Sequence, residues 1–168
     1  FYLTEPQRMM ANNSAVYTTR PSTAEFMDEW ISLMKSGSGE RGIFNRGSLL
    51  KQVPARRQKT LGPSVDTAGT NPCGEIILKS KQFCNLTEVV IRSEDTKESL
   101  LKKIRLAAIL GTYQSTLTNF KYLSKEWQKN CEQERLLGVS ITGQWDNPKL
   151  VHDPKVLQEL RDEAVAVN

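Results

Sequence analysis

Short apolar or β-branched runs alternate with helix-period stretches along this chain, and no other feature limits its fold so tightly. Residues 85–91 (NLTEVVI) and 136–142 (LLGVSIT) read as strands, the second buried. Between them, 97 to about 119 reads as a long helix, with Leu100, Leu101, Ile104, Ala107, Ala108 and Leu110 as its buried stripe and a kink expected at Gly111. Earlier, Ser22 followed by Glu25 has the spacing of a capping box and predicts a helix over 21–36, stopped by Gly37. Phe26, Trp30, Leu33 and Met34 share one face of it and are expected to pack in a core. A short strand at 42–45, a helix at 124–135 and a last helix at 155–165, opened by Asp153-Pro154, complete the order. This succession predicts an α/β architecture with a mainly parallel sheet.

The length, 168 residues, suits one ordinary domain or a piece of a larger one. Hydrophobic residues at 38% and charged residues at 25% exclude wholesale disorder. No apolar stretch approaches the roughly 20 residues that span a bilayer, so no membrane partner is expected. FYLTEPQRMM has no basic segment followed by an apolar run, so it is not a signal peptide, and Phe1 in place of an initiator Met reads as a fragment. The net charge of +4 raises a nucleic-acid reading, but the one dense basic cluster, 51–59 (KQVPARRQK), lacks interleaved aromatics. It reads as a solvated loop, within a 37–72 region rich in Gly, Pro, Arg, Lys and Thr, and no nucleic-acid partner is expected. Three cysteines without paired-framework spacing point to a reducing, cytoplasmic setting.

Chemistry concentrates in Thr70-Asn71-Pro72-Cys73-Gly74-Glu75-Ile76, ahead of a strand-like run at 75–78. Pro72 biases Asn71 toward extended backbone, and if the run is extended Asn71, Cys73 and Glu75 point to one side. An amide, a thiol and a carboxylate then converge: a hydrogen-bonding group, a nucleophilic or one-electron centre and a proton acceptor. A second thiol, Cys84, follows eleven residues later, and a chain reversal would place the two in neighbouring strands. Other readings compete. Cys73 could be an inert buried thiol, and Asn-Pro with Cys-Gly could be turn chemistry beside a solvated Glu75. Zinc ligation by Cys73, Cys84, Cys131 and His152 is disfavoured, because separations of eleven, 47 and 21 match no common pattern.

NPCGEI followed by FCNLTEVVI, with its cysteines eleven apart, resembles the active-site segment of ribonucleotide reductases. It is most similar to the adenosylcobalamin-dependent class, in which NPCGE and a close downstream CNL recur. RMMANNSAVY, GERGIFNR and LLGVSITGQWD resemble segments around that site, so the likeness runs from about Gln7 to Asp146, although only NPCGE…CNL is highly specific. The resemblance implies a ten-stranded α/β barrel, this chain (1–168) being a central fragment of it, with a finger loop at about 70–76 that carries the radical cysteine to the barrel centre. It implies that Cys73 is the thiyl site that removes the ribose 3′-hydrogen, that Glu75 takes the 3′-hydroxyl proton and that Asn71 binds the ribose hydroxyls. Cys84 would be one of two thiols that reduce the 2′ position and end as a disulfide. The implied cofactor is adenosylcobalamin; the implied partners are a ribonucleoside di- or triphosphate, a thioredoxin-like or other dithiol reductant and the remaining parts of the catalytic chain.

The chain departs from that pattern. No cysteine precedes Cys73 to pair with Cys84, and Cys131, in QKNCEQE, reads as an ordinary helical cysteine. The family's substrate-phosphate loop and C-terminal redox cysteines have no counterpart, so di- and triphosphate substrates both stay open. Two alternatives accompany the leading expectation: the oxygen-dependent, two-subunit class of the same family, and a non-enzymatic basic module that binds nucleic acid. These residues alone are expected to be inactive, with open sheet edges.

Overall fold

Two parallel strand pairs, each crossed over by helix, organise the chain. A computed structural model describes residues 4–11 and 13–168; Phe1, and Asn12 within RMMANNSAVY, lie outside the described residues. The chain divides into two units, Phe1–Ser80 and Lys81–Asn168.

In the first unit, β1 (Asn13–Tyr17) and β2 (Arg41–Asn45) run parallel in the register Asn13↔Arg41 to Tyr17↔Asn45. Their crossover is α1 (Thr23–Ser36). The predicted capping box forms: Glu25 N–H donates to Ser22 Oγ at 3.3 Å, and Ser22 N–H donates to the Glu25 carboxylate at 2.9 Å. Gly37 ends the helix at φ 60°, in the left-handed conformation that favours glycine. Arg41 of β2 ties back to Glu29 of α1 at 2.6 Å. The expected core stripe is not buried. Phe26, Trp30 and Met34 are 37%, 43% and 65% exposed, because two strands are too narrow to cover a helix of 14 residues.

The stretch expected to be loop is mostly helical. It forms α2 (Leu49–Gln52), α3 (Ala55–Leu61) and a 3-10 segment, Gly62–Thr67. Leu49, Val53, Leu61 and Ala68 make a small core there, backed by Phe44, Val65 and Ile77. Its basic residues and prolines hide these sparse apolar positions from a compositional reading. Two short strands, β3 (Gly69–Thr70) and β4 (Ile77–Leu78), then pair antiparallel. The strand expected over 75–78 thus narrows to its last two residues.

In the second unit, β5 (Asn85–Val90) and β6 (Leu137–Thr142) run parallel from Asn85↔Leu137 to Val90↔Thr142. Between them lie α4 (Lys97–Ser115) and α5 (Lys125–Glu134); α6 (Pro148–Val151) and α7 (Pro154–Val167) follow. Val89, Ile91, Leu100, Ile104, Val151, Val156 and Leu160 form the core under α4 and α7. Asp153 accepts from Lys155 N–H at 2.9 Å and caps α7 as predicted. α4 runs unbroken through Gly111, where a Cβ would meet Leu137 Cδ1 at 3.4 Å and Thr87 Cγ2 at 3.6 Å, so the helix passes close to the sheet at this turn. Leu110 is 60% exposed rather than part of the buried stripe, and β6 is half-buried rather than buried.

The architecture is therefore mixed α/β. Among the described residues the strands form three two-stranded sheets, none closed, and a ten-stranded barrel is not seen. No described helix is long and apolar enough to cross a membrane.

Candidate active site

Asn71 through Ile76 forms the loop of the β3–β4 hairpin. Gly74 N–H donates to Asn71 C=O at 3.0 Å, closing a four-residue turn with Asn first, Pro second and Gly last. Among the described residues only Lys81 and Arg135 are non-glycine residues with positive φ, so Cys73 has the negative φ of a type I turn. Gly74 takes φ +87°, which lets the chain re-enter the ladder, and Asn71 N–H donates to Ile76 C=O at 3.2 Å. The Asn71 side chain is used at both ends. Its Oδ1 accepts from Ile76 N–H at 3.0 Å, and its Nδ2 donates to the Glu75 carboxylate.

This corrects the expected geometry. The run is not extended, so alternation does not bring the three side chains together; a turn at Pro72-Cys73 brings two of them, Asn71 and Glu75, into contact. Asn71 and Glu75 meet directly across the turn, and Cys73 sits exposed at its tip.

Two arginines hold the base of the hairpin. Arg46 Nε donates to Ala68 C=O at 2.9 Å just before β3, and Arg57 Nη2 donates to Ile77 C=O at 2.9 Å in β4. The sequence singles out neither: Arg46 is the last residue of GERGIFNR, and Arg57 looks like one charge in a basic run. The basic cluster is accordingly not a single solvated patch: Arg57 faces the hairpin, and its helix buries Leu61.

Cys84 lies half-buried just ahead of β5, in the second unit, its thiol donating to Asn85 C=O at 3.5 Å. On β6, Gly138 leaves room beside it: a Cβ on that glycine would stand 4.0 Å from Cys84 Sγ. Phe83 anchors the approach to the strand through ring contacts with Phe120 and Trp127, at 5.1 and 6.2 Å between centroids. Among the described residues the strand that pairs with β5 is β6, and the β3–β4 hairpin that carries Cys73 belongs to the first unit.

No family model, curated protein or solved structure matches this chain.

The remaining candidates fall elsewhere. Cys131 is buried in α5, as its helical setting suggested. His152 makes an edge-on ring contact with Trp145 at 5.3 Å. Among the described residues no group of three or more His, Cys, Asp or Glu side chains is arranged to hold a metal ion. Chemically, the hairpin offers an accessible thiol flanked by a carboxylate whose position is set by an amide, on a base fixed by two arginines.

Proposed function

We propose that this chain is the finger-loop portion of a ribonucleotide reductase catalytic subunit of the adenosylcobalamin-dependent class. In this reading β1–β2 and β5–β6 are parallel portions of its ten-stranded barrel, completed by the remaining parts of the catalytic chain, in a reducing cytoplasmic setting. The observation that carries it is the Asn71–Glu75 hydrogen bond across a turn tipped by Cys73. An inert structural cysteine is normally buried, as Cys131 is, whereas Cys73 is exposed. Turn chemistry accounts for Asn71, Pro72 and Gly74 but asks for neither a thiol at 73 nor a carboxylate at 75.

The chemistry then follows from these side chains. As a thiyl, Cys73 Sγ takes the 3′-hydrogen of the ribose and becomes a thiol. Glu75 accepts the 3′-hydroxyl proton, and its hydrogen bond to Asn71 fixes the oxygen that does so. The 2′-hydroxyl leaves as water with a proton from the thiol pair. Cys84 with a second thiol supplies two electrons and the hydrogen placed on C2′ and closes to a disulfide, while Glu75 returns its proton to the 3′-oxygen. Cys73 returns the hydrogen atom to C3′, and an external dithiol reopens the disulfide by exchange. The residues present fit the cofactor at one point: the thiol is exposed, and nothing stands within 4 Å of where a Cβ on Gly74 would be, so the tip is open to approach. When bound, adenosylcobalamin supplies the organic radical that removes the Cys73 thiol hydrogen.

The test is turnover by the complete protein that contains this chain. Deoxynucleotide formation with adenosylcobalamin and a dithiol, and no second subunit, is the expected result. A requirement for an oxygen-dependent second protein would move the chain to the two-subunit class, and no ribonucleotide reduction under either condition would end the reading.

A further inference from the structure

We propose that the groove at the carboxyl ends of β1 and β2 binds a phosphate group, carried on a molecule with a flat apolar part. This inference does not rest on the function proposed above. The groove, about 490 Å³, opens where β1 leaves the sheet toward α1 and β2 turns toward α2. Its volume is within the roughly 300–1,000 Å³ of small-molecule sites. The carboxyl ends of parallel strands are also where open α/β sheets take their ligands.

The lining is one-sided in charge. Arg20 and Lys51 border it and no carboxylate does. Among the described residues neither cation has a hydrogen-bond or ion-pair partner, in contrast to Arg41, Arg46 and Arg57 nearby in the sequence. Thr18 and Thr19 add hydroxyl donors, Ser48 Oγ already donating to Asn45 C=O at 3.1 Å, and Phe26 contributes an apolar wall. The amides at the start of α1 are not the source of recognition, since Ser22 and Glu25 already close that end. The floor is held in shape by Gly47: a Cβ there would come to 2.1 Å from Thr18 C=O, so the two backbones can pack only with glycine. An anion between a guanidinium and an ammonium gains charge-assisted hydrogen bonds that neutral hydroxyls alone do not provide. The aromatic wall favours a phosphate ester over free phosphate.

Titration calorimetry on the complete protein that contains this chain tests this with phenyl phosphate, inorganic phosphate and phenol as probes. Phenyl phosphate should bind more tightly than inorganic phosphate, and phenol not measurably. Arg20→Gln and Lys51→Gln should each weaken phenyl phosphate by about tenfold, the effect of one charge-assisted contact. Lys155→Gln, an exposed cation on α7, should leave the affinity unchanged. Equal affinities for phenyl and inorganic phosphate would keep the anion site and assign free phosphate to it. Three results would overturn the proposal: no binding at millimolar phosphate or phenyl phosphate, undiminished binding in both groove variants, or an equal loss in Lys155→Gln.

Discussion

At the scale of single residues, the hairpin depends on Asn71 more than on any residue that does chemistry. Asn71→Ala removes the acceptor for Ile76 N–H and the donor to Glu75. Each hydrogen bond is worth about 1 kcal/mol, so the Ile76 amide should exchange with solvent about tenfold faster, as hydrogen-exchange NMR would read directly. Asp95 makes a separate, pH-dependent contribution. Its carboxylate accepts from Lys103 at 2.6 Å and from Ser99 at 2.6 Å, and these contacts pull its pKa from 3.8 down to about 2. A folded pKa below the unfolded one means stabilisation that is complete above about pH 4 and is lost as pH falls toward 2. Lys103→Met should flatten that acid limb in denaturant titrations across this range. Such contacts were invisible in the sequence, because Asp95 and Lys103 lie eight residues apart on different turns of chain. Asn71 and Glu75 are legible as a pair, although through the wrong geometry: the turn chemistry of Asn-Pro and Cys-Gly, which competes with the cluster in the sequence, is what brings Asn71 and Glu75 into contact.

At the scale of elements, local signals with a specific mechanism were readable. Ser22 with Glu25, and Asp153 with Pro154, cap α1 and α7 where their spacing placed them. Ser22→Ala should lower stability by about 1 kcal/mol through loss of the cap. The helical segment between β2 and β3 was not readable, since only Leu49, Val53 and Leu61 give it a buried side among charges. Glycines separate into two kinds that sequence alone does not distinguish. At Gly111 a Cβ would make ordinary contact at 3.4 Å, so Gly111→Ala should raise the melting temperature, gaining about 0.5–1 kcal/mol of helix propensity. At Gly143 the backbone has φ +73° and a Cβ would meet Ile91 C=O at 2.4 Å. Gly143→Ala should therefore cost about 2 kcal/mol or more. Thermal melts of the two variants side by side should show opposite shifts.

At the scale of the whole molecule, two apolar helix faces lie uncovered among the described residues. Met27, Trp30, Ile31 and Met34 mark the one on α1; Leu106, Leu110, Tyr113 and Leu117 mark the other, along and just past α4. Parallel strands are normally covered on both sides, and a two-stranded sheet is marginal alone; the proposed barrel would supply the missing cover. The α/β class was legible in the alternation of runs; the extent of the sheets was not, because strand partners are non-local. The central claim is that Cys73 starts the reaction and Cys84 finishes it. Its most direct test measures deoxynucleotide and free base together in the complete enzyme carrying Cys73→Ser, Cys84→Ser or Glu75→Gln. Cys73→Ser should give neither product, since a serine O–H bond is too strong to yield the radical. Cys84→Ser should form the substrate radical, stall without a hydrogen donor and release base, and Glu75→Gln should slow the step after hydrogen abstraction. Normal multiple turnover by Cys84→Ser with a dithiol, or base release by Cys73→Ser, would contradict the assignment.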